Sequence, residues 1–282
     1  MRPKIGAHVS AAGGLHKAVE NAQKIGAEVI QIFGASPRSW RGALPAPEAV
    51  KKFKEAAAAA KIGIVYLHAS YLVNLAGANP YNREQSILSL TDHLKIAESI
   101  GARGLIFHLG SSGEGDLDAA KKQTTDGLKK ILKAVPGNAK LIMENSSGGG
   151  AKLGFSFREI GELFHAVGSK RLGICYDTAH GFEAGLIDEY SPAKIKKLFD
   201  DFDRSIGLEH LDALHINDSK TAYGSHHDRH ENLGRGEIGL TGFKNLAKDS
   251  RLYAADWILE VPGFDGLGPD KKNIETLKSC FK

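Results

Sequence analysis

The stretch Leu214-His-Ile-Asn-Asp-Ser-Lys220 joins the apolar run Leu211–Ile216 to a cluster of ionisable side chains, and Ser225-His-His-Asp-Arg-His230 follows it closely. The second stretch contains Asp228 and His230, two metal-type ligands one residue apart. The same design, a short apolar run that ends in His, Asp or Glu, recurs along the chain. It is found at Leu67-His68, Phe107-His108, Met143-Glu144, Tyr176-Asp177-x-x-His180 and Leu259-Glu260. Such repetition indicates one shared site at one end of a parallel sheet.

Eight short apolar runs occur in all, and each is followed by a helix-period pattern. They are Ile5–Val9, Val29–Phe33, Ile64–His68, Gly104–His108, Leu141–Glu144, Leu172–Asp177, Leu211–Ile216 and Trp257–Val261. Near-continuous apolar strands are typical of parallel sheets covered on both faces. Eight strand–helix units of roughly 35 residues each predict an α/β fold, a (β/α)8 TIM barrel, with its active site at the carboxyl ends of the strands. We expect a single domain spanning residues 1–282.

An open doubly wound sheet is the alternative architecture. That fold normally carries a glycine-rich phosphate loop after its first strand. Here Gly13-Gly14 does not fit the G-x-G-x-x-G pattern, and Gly148-Gly149-Gly150 follows the fifth predicted strand instead. The barrel is therefore favoured.

The composition limits the kinds of partner, cysteine chemistry and membrane association that the protein can have. The 282 residues are 42% hydrophobic, with a net charge of +4 and a pI near 8.9, a mild basic excess that is compatible with a polyanionic partner. The two cysteines, Cys175 and Cys280, are far apart and form no CxxC pair, which argues against a disulfide framework or a thiolate zinc site. No apolar run approaches the roughly 18 residues needed to span a bilayer. We expect a cytoplasmic monomer without a membrane partner.

The ionisable residues at the predicted strand ends are candidates for metal ligands. Any one histidine near a strand end is more often a hydrogen-bonded structural residue, but so many ionisable groups at one barrel mouth need partners or metal ions. Imidazoles and carboxylates without thiolates suit catalytic zinc, manganese or iron. His226 and His227 are interpreted as neighbours of the site rather than ligands. The nine candidate ligands are His68, His108, Glu144, Asp177, His180, His215, Asp228, His230 and Glu260.

Nine ligands exceed the needs of one ion. Carboxylates can bridge metals, so these residues with water could serve two or three ions. Sites of this kind hydrolyse phosphate esters, because paired ions generate a nucleophile and gather positive charge around the attacked phosphate.

Several long motifs resemble those of the endonuclease IV family of apurinic/apyrimidinic endonucleases, and the resemblance covers essentially the whole chain. The motifs are Gly6-Ala-His-Val-Ser-Ala-Ala-Gly-Gly14, His68-Ala-Ser-Tyr-Leu72, Ile142-Met-Glu-Asn145, Gly173-Ile-Cys-Tyr-Asp-Thr-Ala-His180, Leu214-His-Ile-Asn-Asp-Ser-Lys220 and Asp228-Arg-His-x-x-Leu-Gly-x-Gly-x-Ile-Gly239.

The resemblance implies a three-metal site, usually zinc, with manganese or iron as alternatives at some positions. His68 and His108 would bind the first ion, and Glu144 would bridge it to a second. The second ion would be completed by Asp177, His215 and Glu260, and the third would be held by His180, Asp228 and His230. His8 would support the site without binding metal.

The implied activity is hydrolysis of the phosphodiester 5′ to an abasic site in duplex DNA, which leaves a 3′-hydroxyl and a 5′-deoxyribose phosphate. Blocked 3′ ends would also be trimmed. The resemblance implies attack by a hydroxide held between the first two ions and oriented with the help of Glu260. Glu144 and Glu260 are therefore the expected catalytic residues.

The resemblance also implies the DNA contacts. Arg38 and the pair Tyr71-Leu72 match side chains that the family inserts into the duplex to hold the abasic nucleotide out of the stack. An arginine and an apolar wedge can fill the gap left by a missing base, and a damaged site is easier to unstack. Arg229, between Asp228 and His230, is a candidate phosphate contact.

Two other functions compete with the nuclease. A metal-dependent sugar isomerase or epimerase of the related barrels explains Glu144, Asp177, His215 and Glu260, but not the Asp228–His230 segment. A DNA-damage binding protein without catalysis would be favoured by an incomplete ligand set, and the set here is complete. A DNA-cutting enzyme accounts for the most residues.

Overall fold

A computed structural model describes residues 2–282, and it is built around a closed barrel of parallel strands. In chain order the strands are β1 (Ile5–His8), β2 (Val29–Phe33), β3 (Ile64–His68), β4 (Gly104–His108), β5 (Lys140–Glu144), β6 (Leu172–Asp177), β7 (Leu211–His215), β8 (Asp218–Ser219), β9 (His230–Glu231) and β10 (Asp256–Leu259). The barrel runs from β1 to β7, continues with β10 and closes on β1. The predicted (β/α)8 TIM barrel is confirmed.

Closure of the barrel is set by the pairing of β1 on both its edges. Ile5 pairs with Trp257 of β10 on one side, and Gly6 pairs with Val29 of β2 on the other. The interior is filled by side chains and forms a packed core rather than a pore, as this fold requires. That inner cluster consists of Val29, Tyr66, Ile106, Ile142, Cys175, Ala213 and Ile258. A larger apolar core lies between the strands and the surrounding helices.

A helix follows each strand from β1 to β5, two helices lie between β6 and β7, and two more flank β10. The helices are α1 (Leu15–Ile25), α2 (Pro47–Ala59), α3 (Pro80–Ile100), α4 (Leu117–Ala134), α5 (Phe157–Val167), α6 (Thr178–Glu183), α7 (Pro192–Ser205), α8 (Gly239–Leu246) and α9 (Lys271–Ser279). Side-chain oxygens of Asn79, Asp116, Ser156 and Asp270 accept first-turn N–H groups of the helices that follow them. Across residues 2–282, no helix is both long and apolar enough to cross a membrane.

Two short elements at the barrel mouth are not predicted by the sequence pattern. Helix α6 starts directly after β6, and the Asp177 carboxylate caps it by accepting the His180 N–H at 2.9 Å. The two-residue strands β8 and β9 pair antiparallel, with Asp218 opposite Glu231. Both elements carry side chains over the carboxyl ends of the strands, so they contribute directly to the candidate site.

Candidate metal centre

The predicted ligands converge on the carboxyl end of the barrel because most of them end a strand. His68, His108, Glu144, Asp177 and His215 are the last residues of β3 to β7, in that order, and Glu260 directly follows β10. The other three ligands come from the elements above the mouth: His180 lies on α6, Asp228 in the loop between β8 and β9, and His230 on β9. The structure brings all nine together.

Glu144 lies at the centre of the cluster and is fully buried. Its Oε2 is 3.1 Å from His68 Nε2 and 3.5 Å from His108 Nε2. Its Oε1 is 2.8 Å from His215 Nδ1 and 3.5 Å from His180 Nδ1. Burial would raise the pKa of Glu144, but the charges and hydrogen bonds of the imidazoles outweigh it and hold that pKa well below its usual range. The carboxylate therefore stays ionised and joins neighbouring groups of ligands.

Two of these groups share Glu144. In one, the candidate ligand atoms of His68, His108 and Glu144 all lie within 4.8 Å of one another. In the other, the same holds for Glu144, Asp177, His215 and Glu260. His215 Nδ1 is 3.3 Å from Glu260 Oε2 and 3.8 Å from Asp177 Oδ2. These groups correspond to the first and second ligand sets expected from the sequence.

A third group forms around His180 and His230, and here the grouping differs from the expected one. Their ligand atoms lie within 4.8 Å of each other and of an Asp177 oxygen. Asp228 also approaches both, with its carboxylate oxygens 3.3 Å from His180 Nε2 and 3.6 Å from His230 Nε2. Asp177 therefore lies between the second and third groups, where the sequence resemblance assigns it to the second alone.

The third group also contains unsatisfied atoms. The Nε2 atoms of His180 and His230 are buried without a hydrogen bond of acceptable geometry to any atom of residues 2–282. Burial lowers the pKa of His180, but Asp177 and Asp228 outweigh it and raise that pKa well above its usual value. Buried polar atoms are normally paired, so unpaired imidazole nitrogens facing carboxylates fit a site for a cation.

Gln31 supports the second group and is missed by the sequence analysis. Its Oε1 is 2.8 Å from His215 Nε2, so that nitrogen carries the proton and Nδ1 faces the carboxylates. Its Nε2 is 2.5 Å from Glu260 Oε1 and 3.0 Å from His8 Nδ1, and that His8 atom is 3.3 Å from Glu260 Oε1. The sequence does contain one indication of Gln31: it is the single polar residue in the apolar run that forms β2.

Two buried asparagines fix the orientation of Asp177 and its neighbours. Asn217 Nδ2 donates to Asp177 Oδ2 at 2.6 Å, and Asn145 Oδ1 accepts the Asp177 N–H at 2.6 Å. Asn217 Oδ1 also accepts the Glu260 N–H at 2.8 Å. The Asn145 carbonyl lies 3.0 Å from His180 Nδ1, which places the proton there and leaves His180 Nε2 to face Asp228. Cross-strand amides thus hold the ligands in place.

Cys175 lies beside the cluster but does not act as a thiolate there. Its sulfur is within 4.8 Å of ligand atoms of Glu144 and His215. Burial raises the pKa of the Cys175 thiol to about 12, so it stays protonated at neutral pH. Because the thiolate is the form that binds metals, the ligand set remains one of imidazoles and carboxylates.

The predicted DNA-contacting residues lie in loops around the cluster. Arg38 and Arg229 are exposed, and Tyr71 and Leu72 are 69% and 37% exposed. The Pro37 carbonyl accepts the Tyr71 N–H at 3.2 Å and the neighbouring Ser70 hydroxyl at 2.8 Å. That carbonyl connects the loop carrying Arg38 to the loop carrying Tyr71 and Leu72.

A cavity of about 800 Å³ lies next to the second group of ligands and is lined in part by His8, Glu260 and Tyr71. It extends from the exposed Tyr71 to the partly exposed carboxylate of Glu260. A ligand lying across the loops could therefore reach Glu260.

Comparison with known proteins identifies first the fold family of the chain and then a narrower family within it. Residues 19–281 match the family described as xylose isomerase-like TIM barrel. A D-tagatose 3-epimerase-like protein shares the fold, with a TM-score of 0.71 at 18% identity, covering 98% of this chain and 96% of that one. The fold and the ionisable cluster at its mouth thus define a xylose isomerase-like TIM barrel.

Closer relatives narrow the assignment. The probable endonuclease 4 of Halothermothrix orenii is 34% identical, covering 98% of this chain and 99% of the relative. Endonuclease IV from Thermus thermophilus is 35% identical, with a TM-score of 0.86 over 99% of this chain and 98% of that chain. The chain belongs to the endonuclease IV family.

Proposed function

We propose that the protein is a DNA-repair endonuclease that hydrolyses the phosphodiester 5′ to an abasic site in duplex DNA, leaving a 3′-hydroxyl and a 5′-deoxyribose phosphate. It would also remove blocked 3′ ends, with residues 1–282 acting as one catalytic domain. The observation that carries the proposal is the set of three adjoining ligand groups linked by Glu144 and Asp177, in a chain of the endonuclease IV family.

The ligand groups fit three zinc ions. The donors are imidazole nitrogens and carboxylate oxygens, and the unpaired Nε2 atoms of the third group are the kind of atom that an ion would satisfy. When bound, such ions supply Lewis acidity at the phosphate and activate water. We assign His68, His108 and Glu144 to one ion, Glu144, Asp177, His215 and Glu260 to a second, and His180, Asp228, His230 and the shared Asp177 to the third.

The two catalytic carboxylates have different tasks. Glu144 is fully buried and contacts imidazoles of all three groups, so it joins and spaces the ligands. The Glu260 side chain is 16% exposed and borders the cavity, so it can contact the reacting phosphate or the attacking water. Gln31 and His8 hold one Glu260 oxygen, which fixes its orientation. Fixed orientation is what a group that positions the attacking nucleophile needs.

The exposed loop residues are suited to lesion recognition. Tyr71 and Leu72 would wedge into the duplex while Arg38 fills the gap left by the missing base, and Arg229 would contact a phosphate. An apolar pair held in water is unfavourable unless a partner covers it, and unstacking is least costly at a damaged nucleotide. The wedge therefore favours abasic over intact DNA.

A nicking assay tests the proposal directly. The purified protein is incubated with a duplex carrying one abasic-site analogue and with an intact control duplex, and bound metal is measured by elemental analysis. We expect a single nick 5′ to the analogue and about three transition-metal ions per chain. A full metal complement without nicking, together with turnover of a ketose or aldose, would overturn the nuclease in favour of a sugar isomerase or epimerase.

A further inference from the structure

Glu183, the last residue of α6, is a completely buried carboxylate that the proposed chemistry does not use. Its Oε1 accepts three hydrogen bonds, from the Ser219 hydroxyl at 2.8 Å, the Thr221 hydroxyl at 3.3 Å and the Arg229 N–H at 3.2 Å. Its Oε2 is buried without a hydrogen-bond partner among residues 2–282. Burial raises the pKa of Glu183, since desolvation outweighs these donors. Burial of an incompletely hydrogen-bonded acid is unfavourable, so its presence here suggests a structural or functional role.

The three donors come from both ends of the loop that carries part of the third ligand group. Residues 220–229 connect β8 to β9, and these strands pair through only two residues each. So short a pair contributes little on its own to ordering ten residues between its strands. Asp228 and His230 stand on either side of Arg229, whose N–H is bound to Glu183. The Glu183 carboxylate thus fastens the backbone between two proposed ligands.

Backbone contacts hold the middle of the same loop independently of that carboxylate. The His226 N–H donates to the Glu183 carbonyl at 3.0 Å, and the Gly224 N–H donates to the Phe182 carbonyl at 3.2 Å. Loss of the Glu183 side chain would therefore leave the loop attached at residues 224–226. The Arg229 carbonyl would still accept the Lys220 N–H at 2.8 Å. The Arg229 N–H, between the two proposed ligands, would lose its acceptor, so this segment would be held less firmly.

We propose that Glu183 is a positioning residue for the third metal: it fastens the Arg229 backbone so that Asp228 and His230 face His180. The inference rests on the proposed function, since it requires that this group binds an ion. Partners that orient metal ligands typically change affinity by about 10–100-fold when removed. The role needs an acceptor oxygen at Oε1 and not a negative charge, so an amide should replace the acid.

The test compares the metal affinities of Glu183→Ala, Glu183→Gln and a matched control, Glu98→Ala. Glu98 also accepts a backbone N–H, from Ala139 at 2.6 Å, but this lies just before β5 at the opposite end of the barrel. Zinc is titrated against a chromophoric chelator in the intact protein. We expect Glu183→Ala to weaken one of three sites about 10–100-fold. Glu183→Gln and Glu98→Ala should keep all three at wild-type affinity.

A double-mutant comparison identifies the affected site. In a His180→Ala background the third group is already broken, so adding Glu183→Ala should weaken no remaining site. If Glu183→Ala does not fold, Thr221→Val removes one of the three donors and should weaken the same site to a smaller degree. Loss of a site in Glu183→Gln equal to that in Glu183→Ala would overturn the role of the acceptor.

The outcomes separate the inference from the proposed function. Fewer than three ions in the wild-type protein would contradict the proposed metal content. Three ions in the wild type and three equally tight ions in Glu183→Ala would overturn the positioning role alone.

Discussion

The two ends of the barrel bury carboxylates in different ways. At the amino end, Asp212 and Asp256 are each about 4% exposed. Lys140 Nζ lies 2.9 Å from both Asp212 oxygens, Arg103 Nη1 lies 2.9 Å from Asp256 Oδ2, and the buried Tyr66 hydroxyl donates to that oxygen at 2.7 Å. Permanently charged cations and a hydroxyl therefore satisfy both acids. The carboxylates at this end of the barrel therefore require no bound ion to balance their charge.

The carboxyl end buries Glu144 and Asp177 completely. Within the described chain their only ion-pair partners are imidazoles, and no lysine or arginine reaches them. An unperturbed imidazole loses its charge near neutral pH, and even a raised pKa leaves it able to lose a proton, whereas lysine and arginine keep their charge. Charge at the amino end is thus balanced permanently, while charge at the carboxyl end is balanced by protons or, as we propose, by metal ions.

Removal of metal should have the largest effect on stability and activity. It should act at the carboxyl end alone, because in our proposal only that end depends on ions. An ion that binds the folded chain alone stabilises it by about 4 kcal/mol at a thousandfold excess over its Kd, and several ions add to this. We expect a strong chelator to lower the Tm and abolish nicking, and zinc to restore both. Equal Tm with and without chelator would contradict the metal centre. The measurement is thermal unfolding followed by circular dichroism.

The same imidazoles should give the stability of the metal-free protein and its affinity for metal opposite dependences on pH. Burial lowers the pKa values of His180 and His215, but their neighbours outweigh it and raise both well above 6.5. These neighbours are Asp177 and Asp228 for His180, and Cys175, Glu260 and Glu144 for His215. In the metal-free protein their stabilisation is complete below pH 6.5 and is lost as the pH rises through the raised pKa values. Metal binding requires neutral imidazole, so affinity instead rises with pH. Between pH 6 and 9 we expect Tm to fall with pH in chelator, and the zinc-dependent increase in Tm to grow.

Replacement of Glu260 by Gln should have the next largest effect, and it should lower the nicking rate far more than the binding of DNA. The amide keeps the size of the side chain but loses the negative charge that would help to hold an ion of the second group and orient the nucleophile, so we expect a loss of about 10²-fold or more in rate. Binding of abasic duplex, measured by fluorescence anisotropy, should survive because the exposed loops are unchanged. Equal loss of binding and rate would argue against a catalytic role for Glu260.

Replacement of Arg103 by Met tests the amino end. The substitution leaves Asp256 buried with only the Tyr66 hydroxyl, and a broken buried pair costs about 3–5 kcal/mol. Because the Arg103 side chain is 42% exposed and screened by water, we expect about 2–3 kcal/mol from urea unfolding. Metal content and nicking rate of the folded fraction should equal those of the wild type. Loss of metal would show that the two ends are not independent.

The strand-end residues could be predicted from sequence because each is an ionisable side chain that ends an apolar run. That contrast is local, and barrel topology then brings the ends together whatever the details of packing. The six-residue helix α6 could not be predicted, since it is too short to show a helical period and its cap, Asp177, has the sequence position of a metal ligand. This helix carries His180 to the site from beyond the end of β6.

The residues that orient the ligands could not be predicted for a different reason. Gln31 and His215 meet across the barrel although 184 positions separate them in the chain. Neither residue's neighbours in sequence indicate that contact, because register across eight strands decides it. The grouping of Asp177 with His180 and His230 is of the same kind: the residues were predicted, and their distances were not.

Replacement of Gln31 by Ala should weaken metal binding moderately, whereas a comparable change at the amino end of the barrel should not affect it. It removes the acceptor for His215 Nε2 and a donor to Glu260, so both ligands lose their orientation. We expect about 10–100-fold weaker binding at one metal site, measured by chelator competition. The comparison variant is Tyr66→Phe, which deletes a hydroxyl inside the barrel at its amino end and should leave metal affinity unchanged. An unchanged affinity in Gln31→Ala would remove that residue from the metal centre.

Replacement of Arg38 by Ala should have the smallest effect, and it contrasts two arginines. Arg103 is fixed by carboxylates, whereas the exposed Arg38 side chain forms no ion pair with any residue from 2 to 282. An arginine left unpaired beside an exposed apolar wedge is available to a duplex with a missing base. We expect about a tenfold loss of discrimination between abasic and intact DNA, on the order of 1.4 kcal/mol, with unchanged Tm. Anisotropy titrations on both duplexes measure it, and Arg41→Ala serves as the control because Arg41 is paired with Asp92 at 2.6 Å. Equal discrimination in Arg38→Ala and the wild type would assign lesion recognition to Tyr71 and Leu72 alone.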